Sequence, residues 1–341
     1  MARIKRGFSL AALFCLAFFI LVYNSVRLGT SSNASKRLLR EGSPSRTIRE
    51  KVLRTKGSGL RAFYDELSML GYRKGDGGAV LFRQIVRKPS ISQPVFLHVY
   101  VASSPSHDVR RNAIRETWGA QGKKNNVSLV FMIGKSELDN KIRREGDTYG
   151  DILQGDYRDT YDNLAFKSVS MLSHFSITYP HPTYIMKTDD DIFVNVPKLV
   201  NFLSTTHPLG IVGCDKSQEL LPFGPMGESV PAALAISPFV VGAGYVIHRD
   251  TALSLPSGCL RSDPIPVEDV YLTSRCARAA TPPTRVPTHH RGFSCGRWVQ
   301  HPCELAHAFT GHHMSPQRMR AVMKTLSEGE CSHPENEYLM H

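Results

Sequence analysis

No two cysteines of this sequence stand in a Cys-x-x-Cys pair, and the six beyond residue 26 are scattered from Cys214 to Cys331. That absence removes the usual zinc-site spacings and leaves room for three disulfides in an oxidising compartment, with 15 connectivities open. A basic folded face is missing as well. The formal net charge is +12, yet residues 1 to 61 hold 13 Lys and Arg against 2 Asp and Glu, while the remainder holds 29 against 28. The excess belongs to an N-terminal arm, so a nucleic-acid-binding surface on the folded part is excluded. Charge is lacking altogether from Gly7 to Val26, a stretch containing Cys15, after the basic start "MARIKR". About 20 apolar residues match a membrane-crossing helix better than the shorter core of a cleaved signal, and no small-residue cleavage site follows.

The expected organisation is a cytosolic tail at 1–6, a transmembrane signal-anchor at 7–26, a stem at 27–90 and a lumenal domain at 91–341. Residues 27 to 60 are rich in Ser, Arg, Lys and Gly and too poor in apolar residues to form a core. "LRAFYDELSML" reads as a short helix within that stem. Asn33 and Asn126 each open an Asn-x-Ser acceptor triplet for glycosylation.

From Val95 the pattern alternates. A strand at Val95 to Val101 leads to a helix in "HDVRRNAIRETWG", capped by Asp108 and ended by Gly119. "NVSLVFMIG" is a buried strand, "SELDNKIRREGDTYG" a polar helix and "DILQGD" a short strand. "TYDNLAFKSVSMLSHF" places Tyr161, Leu164, Ser168 and Leu172 on one helical face, and "TYIMKT" is again a strand. Strands separated by helices predict an α/β fold with a mostly parallel sheet. In such sheets ligands sit at the carboxyl ends of strands, where Asp189, Asp190 and Asp191 fall. Adjacent carboxylates raise one another's pKa unless a cation meets them. An EF-hand starting at Asp189 fails, because Phe193 and Val194 occupy positions needing an oxygen ligand and a glycine. A phosphoaspartyl nucleophile and an unliganded acidic turn remain open; a divalent ion bridging to a phosphorylated ligand accounts for all three carboxylates. A second acidic pair, Glu268 and Asp269, lies between apolar residues in "PIPVEDVYLT". It reads either as a helix-opening pair or as a desolvated general base.

Five ordered blocks, "RRNAIRETWG", "DYRDTYDNLAFKS", "YIMKTDDDIFVN", "FVVGAGYVIH" and "VEDVYLT", resemble the β-1,3-glycosyltransferases, which include galactosyl- and N-acetylglucosaminyltransferases and, more distantly, Fringe. The resemblance spans about residues 95 to 325. It implies a GT-A fold on a type II Golgi membrane anchor, a UDP-sugar donor and a divalent ion, manganese with magnesium as the alternative. The partners would be that donor, a glycan acceptor on a glycoprotein or glycolipid, and the membrane.

Carried over residue by residue, the resemblance makes Asp189, Asp191 and His312 the metal ligands, with His313 the neighbour that competes for the last assignment. Asp190 and Asp191, with Arg111, Arg115 and Lys187, would bind the nucleotide sugar. Asp269 would deprotonate the acceptor hydroxyl, and Glu268 would orient the acceptor. Gly242, Gly244 and Tyr245 would form a turn lining the sugar pocket. Asp156, Asp159, Tyr161, Asn163 and Lys167 fit the family pattern, with Ala165 where Thr is usual; their implied role is mainly structural, with Lys167 able to approach phosphate, and Trp118 is expected in the core. Thr273 replaces a usual Gly, and "TPPTRVPTHHRGFSCGRWVQHPCELAHAF" departs from the pattern, so the acceptor side is the less defined one. The competing classes are a non-catalytic sugar-binding relative, which has no need of a base, and a lumenal metal-dependent phosphohydrolase, whose nucleophile signature is missing.

Overall fold

The structure, a computed structural model, describes residues 58–82, 85–89, 95–178, 180–216, 222–223, 228–229, 238–296, 298–299 and 301–331. The expected tail and anchor, the stem as far as residue 57, Cys15 and Asn33 lie outside the described residues. Among the described residues, no helix is long and apolar enough to cross a membrane.

The strands are β1 (Ile85–Arg87), β2 (Leu97–Ala102), β3 (Val127–Lys135), β4 (Ile152–Arg158), β5 (Tyr184–Asp189), β6 (Phe193–Val194), β7 (Ile211–Asp215), β8 (Pro222–Phe223), β9 (Glu228–Ser229), β10 (Val240–His248), β11 (Thr288–His289) and β12 (Thr310–Gly311). Eight of them form one sheet in the order β1-β4-β3-β2-β5-β10-β7-β11, while β6 pairs with β12 and β8 with β9. The pairs joining β4, β3, β2 and β5 are parallel. β10 is antiparallel to both β5 and β7, and β11 is parallel to β7. Only β10 and the edge strand β1 therefore run against the rest, which is the mostly parallel sheet expected.

β2 is buried along its whole length, as a strand covered on both faces must be. Alternation splits its side chains: Leu97, Val99 and Val101 enter one apolar cluster, and Tyr100 and Ala102 the other. The helices are α1 (Ser58–Met69), α2 (Asp108–Glu116), α3 (Asp139–Tyr149), α4 (Leu164–Ile177), α5 (Val196–Thr206), α6 (Arg249–Arg261) and α7 (Pro316–Ser327). Phe63 and Leu67 of α1, Phe166 and Val169 of α4 and Leu255 of α6 cover the Tyr100 face. Ile114 of α2, Leu199 of α5 and Met319 of α7 cover the other.

Several sequence readings change. Residues 58–82 and 85–87 belong to the folded unit and not to a stem, since Phe63, Leu67 and Leu81 are fully buried and β1 extends the sheet beside β4. Helix α2 stops at Glu116, short of Gly119, and Asp108 is its first residue, paired with Lys141 instead of capping. Tyr161 sits in a 3-10 turn ahead of α4, so the apolar stripe begins at Leu164. All six cysteines beyond residue 26 are paired, as Cys214–Cys295, Cys259–Cys276 and Cys303–Cys331.

Candidate active site

β5 carries its apolar residues into the sheet and delivers Asp189 at its carboxyl end, with Asp190 and Asp191 in the turn beyond. The three carboxylates have different surroundings. Asp190 is buried and accepts hydrogen bonds from Ser103 Oγ at 2.7 Å, His107 Nδ1 at 2.8 Å and Arg110 at 2.9 Å. Burial opposes its charge, and these donors outweigh burial and hold its pKa below the ordinary value. Asp190 thus ties the acidic turn to the loop after β2, with its oxygens already spent. Asp189 is the partner of Lys187, 2.9 Å away.

Asp191 is brought against His312 by a second pairing. Thr310 and Gly311 of β12 lie opposite Val194 and Phe193 of β6, and the Met314 amide donates to the Asp191 carbonyl at 2.8 Å. Trp118, in the core as expected, donates its indole N–H to the Ile192 carbonyl at 3.0 Å and fixes the same turn. Gly311 leaves room for tight packing here: a β-carbon would stand 2.5 Å from Leu305 Cδ2 and 2.9 Å from Val299 Cγ2, and those side chains would have to shift. His312 Nε2 consequently lies 3.7 Å from Asp191 Oδ1, beyond hydrogen-bond reach. Asp191, His312 and His313 each offer a ligand atom, and these atoms lie within 4.8 Å of one another. Asp189 is not in this group; His313, the competitor for the histidine assignment, is.

These residues fit a divalent cation. Burial first, then Asp189, raises the Asp191 pKa, a strain that a cation relieves. Burial lowers the His312 pKa, which keeps the imidazole neutral and its lone pair free. His312 Nδ1 is buried without a hydrogen-bond partner. Carboxylate oxygen with imidazole nitrogen suits manganese, while nothing in the donor set rejects magnesium.

The second acidic pair opens the one-turn helix Glu268–Val270, which passes into a π-helical turn, Tyr271–Cys276. Glu268 is buried and accepts from Ser168 Oγ at 2.7 Å and Tyr245 Oη at 2.8 Å, while its other oxygen lies 3.2 Å from Lys187 Nζ. Asp269 is held by the backbone amides of Gly242 and Val270, each at 2.9 Å. Its pKa is pushed up to about 6, by burial first and then by Glu268, with those amides and Lys187 pulling the other way. Thr273, where the family pattern has Gly, donates to the Asp269 carbonyl at 2.7 Å and accepts from the Val240 amide, so it braces this turn.

Lys187 joins the two acidic centres. It is 2% exposed and touches Asp189, Glu268 and the Gly242 carbonyl. Burial disfavours its charge, but the Asp189 and Glu268 carboxylates more than compensate and raise its pKa. Lys187 thus links the acidic turn that carries Asp191 to the turn that carries Glu268 and Asp269.

Other expected residues lie elsewhere. Arg111 is fully buried and forks onto Glu145 at 2.8 and 2.7 Å, with further bonds to Ser103 and the Ser104 carbonyl. Arg115 forks onto Asp151 at 2.8 Å, also bonds Glu145, and lies over the Tyr149 ring. Arg111 has no donor left for a nucleotide, and Arg115 commits four of its five; both fasten α2 to α3, and Arg115 also ties it to the start of β4. The i, i+4 spacing correctly set them on one helix face, but that face turns inward. Lys167 bonds the Ser103 carbonyl and Asp159, which is also structural. Gly242 and Gly244 lie within β10 instead of a turn. A β-carbon on Gly242 would meet Glu268 and Lys187 at 3.0 and 3.2 Å, so its bareness serves the carboxylate cluster. Tyr245 is buried beneath the site and does not line a sugar pocket.

Sequence reasoning missed Arg110 and the role of Ser168, and it placed Tyr161 in the family pattern without a role at the site. Arg110, 37% exposed in its side chain and bonded to Asp190 alone among the described contacts, is the cation of α2 that faces outward. Ser168 holds Glu268 from 100 positions away, a distance no local pattern reports. Tyr161 is 58% exposed, and its pKa is raised by burial of the hydroxyl first and then by the Asp269 and Asp189 carboxylates.

Residues 109–220 match the family model for Galactosyltransferase. The chain is 29% identical over 301 residues to beta-1,3-galactosyltransferase 4 of Canis lupus familiaris, covering 71% of this chain and 76% of that one. It is 30% identical over 215 residues to N-acetyllactosaminide beta-1,3-N-acetylglucosaminyltransferase 2 of Mus musculus, covering 58% and 53%. The chain thus spans about half the length of the second relative. Among solved structures, it is similar at 13% identity and a TM-score of 0.34 to the mannosyltransferase PcManGT of Pyrobaculum calidifontis in complex with GDP-Man and Mn2+, over 81% of this chain and 84% of that one. The family and curated-protein matches bear out the resemblance read from the sequence, and they identify the chain as a glycosyltransferase.

Proposed function

We propose that the chain transfers galactose or N-acetylglucosamine from a UDP-sugar to a hydroxyl of a glycan acceptor, on glycoprotein or glycolipid, with inversion and a β-1,3 linkage. The observation that carries this reading is Lys187 bridging the acidic turn, which carries a metal-ligand set, to the Glu268–Asp269 pair, which offers a carboxylate base. Asp191 and His312 would hold the divalent ion, manganese or magnesium. When bound, that ion supplies charge neutralisation for the departing diphosphate.

Asp269, with its raised pKa, accepts the proton of the acceptor hydroxyl. The acceptor oxygen forms a bond to the anomeric carbon as the bond from that carbon to UDP breaks, and UDP leaves with the electron pair. One displacement inverts the centre, so an α-linked donor yields a β-linkage and no glycosyl-enzyme is needed. Glu268 is too enclosed by Ser168, Tyr245 and Lys187 to touch the acceptor directly and sets the position and pKa of Asp269 instead. Arg110, in place of Arg111 and Arg115, is the cation available to the nucleotide diphosphate.

The wider setting belongs to the same proposal: a GT-A enzyme anchored in the Golgi membrane by residues 7–26, with tail 1–6 cytosolic, a stem at 27–57 and the catalytic unit lumenal. Asn33 and Asn126 would carry glycans. Asn126 is exposed at the amino end of β3, away from the strand ends that hold the acidic turn.

The test is UDP release by the full-length chain in detergent, over a panel of UDP-sugars and galactosyl, xylosyl and N-acetylglucosaminyl acceptors, with manganese or a chelator. Metal-dependent turnover of one donor, lost in both Asp191→Ala and Asp269→Asn, is the expected result. Turnover that survives Asp269→Asn at the wild-type rate would overturn the assignment of the base.

A further inference from the structure

Beside the acidic turn lies an aromatic arrangement that the proposed chemistry does not use. Trp298 is 56% exposed, a costly place for the largest apolar side chain. Its indole lies nearly parallel to the His313 ring, with centroids 4.5 Å apart and planes 20° apart. The His313 ring in turn lies on His312, at 3.8 Å and 10°. Three rings make one stack, and it ends on the imidazole that faces Asp191.

Consecutive side chains of an extended chain point to opposite faces. His312 and His313 face each other because His313 holds a left-handed φ of 60°, a conformation unfavourable for a residue with a β-carbon. The backbone of Trp298 is joined to His312 by a parallel bridge, which sets the indole at the right height. The strain at His313 and the exposure of Trp298 thus produce the same thing, a stack of rings ending on His312.

A histidine ligand is ordinarily oriented by a hydrogen bond from its second ring nitrogen to a carboxylate, carbonyl or water. His312 lacks that bond to the protein, since its Nδ1 is buried without a partner. We propose that Trp298 is a positioning residue for the metal site: acting through His313, it fixes the ring plane of His312 by stacking, in place of the missing hydrogen bond. The inference rests on the reading of Asp191 and His312 as metal ligands.

The experiment is Mn2+ binding to the full-length chain in detergent with UDP present, read from loss of the free-ion electron paramagnetic resonance signal. Trp298→Ala is expected to weaken binding about tenfold, the lower end of what loss of an orienting partner does to a metal site. Trp298→Phe restores it by keeping a stacking ring. The thermal unfolding midpoint without metal stays at the wild-type value in both variants, which separates orientation from folding. Wild-type affinity in Trp298→Ala overturns the inference alone. No Mn2+ binding by the wild-type chain overturns the metal reading and the inference with it.

Discussion

With a pKa of about 6, Asp269 is roughly nine-tenths ionised at pH 7 and roughly one-tenth ionised at pH 5. If it is the base, kcat/KM for the donor must fall about eight- to tenfold between those two values, along a single acid limb with its midpoint near 6. The origin of the shift makes the prediction sharper. After burial, the Glu268 carboxylate contributes most to raising Asp269, while Lys187 lowers it. Glu268→Gln should therefore move the limb to lower pH, and Lys187→Met should move it to higher pH. Asp269→Asn removes the proton acceptor and should cost on the order of 10²–10⁴ in rate, with the limb gone from any residual activity. The assay is UDP release at low donor concentration and constant manganese, from about pH 5 to about pH 8, with donor binding checked at both ends. A wild-type limb near 4, or a limb that stays near 6 in Asp269→Asn, would refute the assignment, because the titrating group would then be another residue.

Three further outcomes follow from the geometry. Arg111→Met leaves the half-buried Glu145 with Arg115 as its remaining cation in the ion-pair network, and should cost about 3–5 kcal/mol in urea unfolding; Arg110→Ala should cost less than about 1 kcal/mol yet weaken UDP binding, and the reverse pattern would restore Arg111 to the nucleotide site. Gly311→Ala forces a methyl group against Leu305 and Val299, so destabilisation of about 1–3 kcal/mol is expected, together with weaker Mn2+ binding as His312 moves. His98 and His174 are buried neutral, with pKa values lowered to about 3 and about 4, chiefly by burial. Below about pH 6.5 the unfolded chain binds protons that the native state refuses, so stability falls with falling pH by up to about 1.4 kcal/mol per unit for each histidine. Replacing His98 with Gln should flatten that slope, measured by urea titration at a series of pH values.

The sheet and the acidic turn were readable because both are local patterns. An apolar strand running into "TDDD" specifies a strand end crowded with charge, whatever lies around it. What the charges face is not local. Asp189 meets Lys187, its neighbour on β5, but Asp190 meets the Ser103–His107–Arg110 group and Asp191 faces His312, and those two destinations are set by β2, α2 and β12. The same limit explains Arg111 and Arg115, whose spacing defines a face but not its direction. Residues 58–82 and 85–87 were misplaced for a compositional reason: a polar, glycine-rich neighbourhood conceals the few side chains, Phe63, Leu67 and Leu81, that enter the core.

Those early residues also decide where the chain can be cut. Removing α1 and β1 would strip the backbone of β4 of its neighbour, turning an internal strand into an open edge available to other chains. It would also uncover the ring of Phe166, which Phe63 meets edge-on at 6.2 Å. A cut upstream of Ser58 would leave α1 and β1 in place, whereas a cut at the basic residues Arg87 and Lys88 would open that edge and favour aggregation.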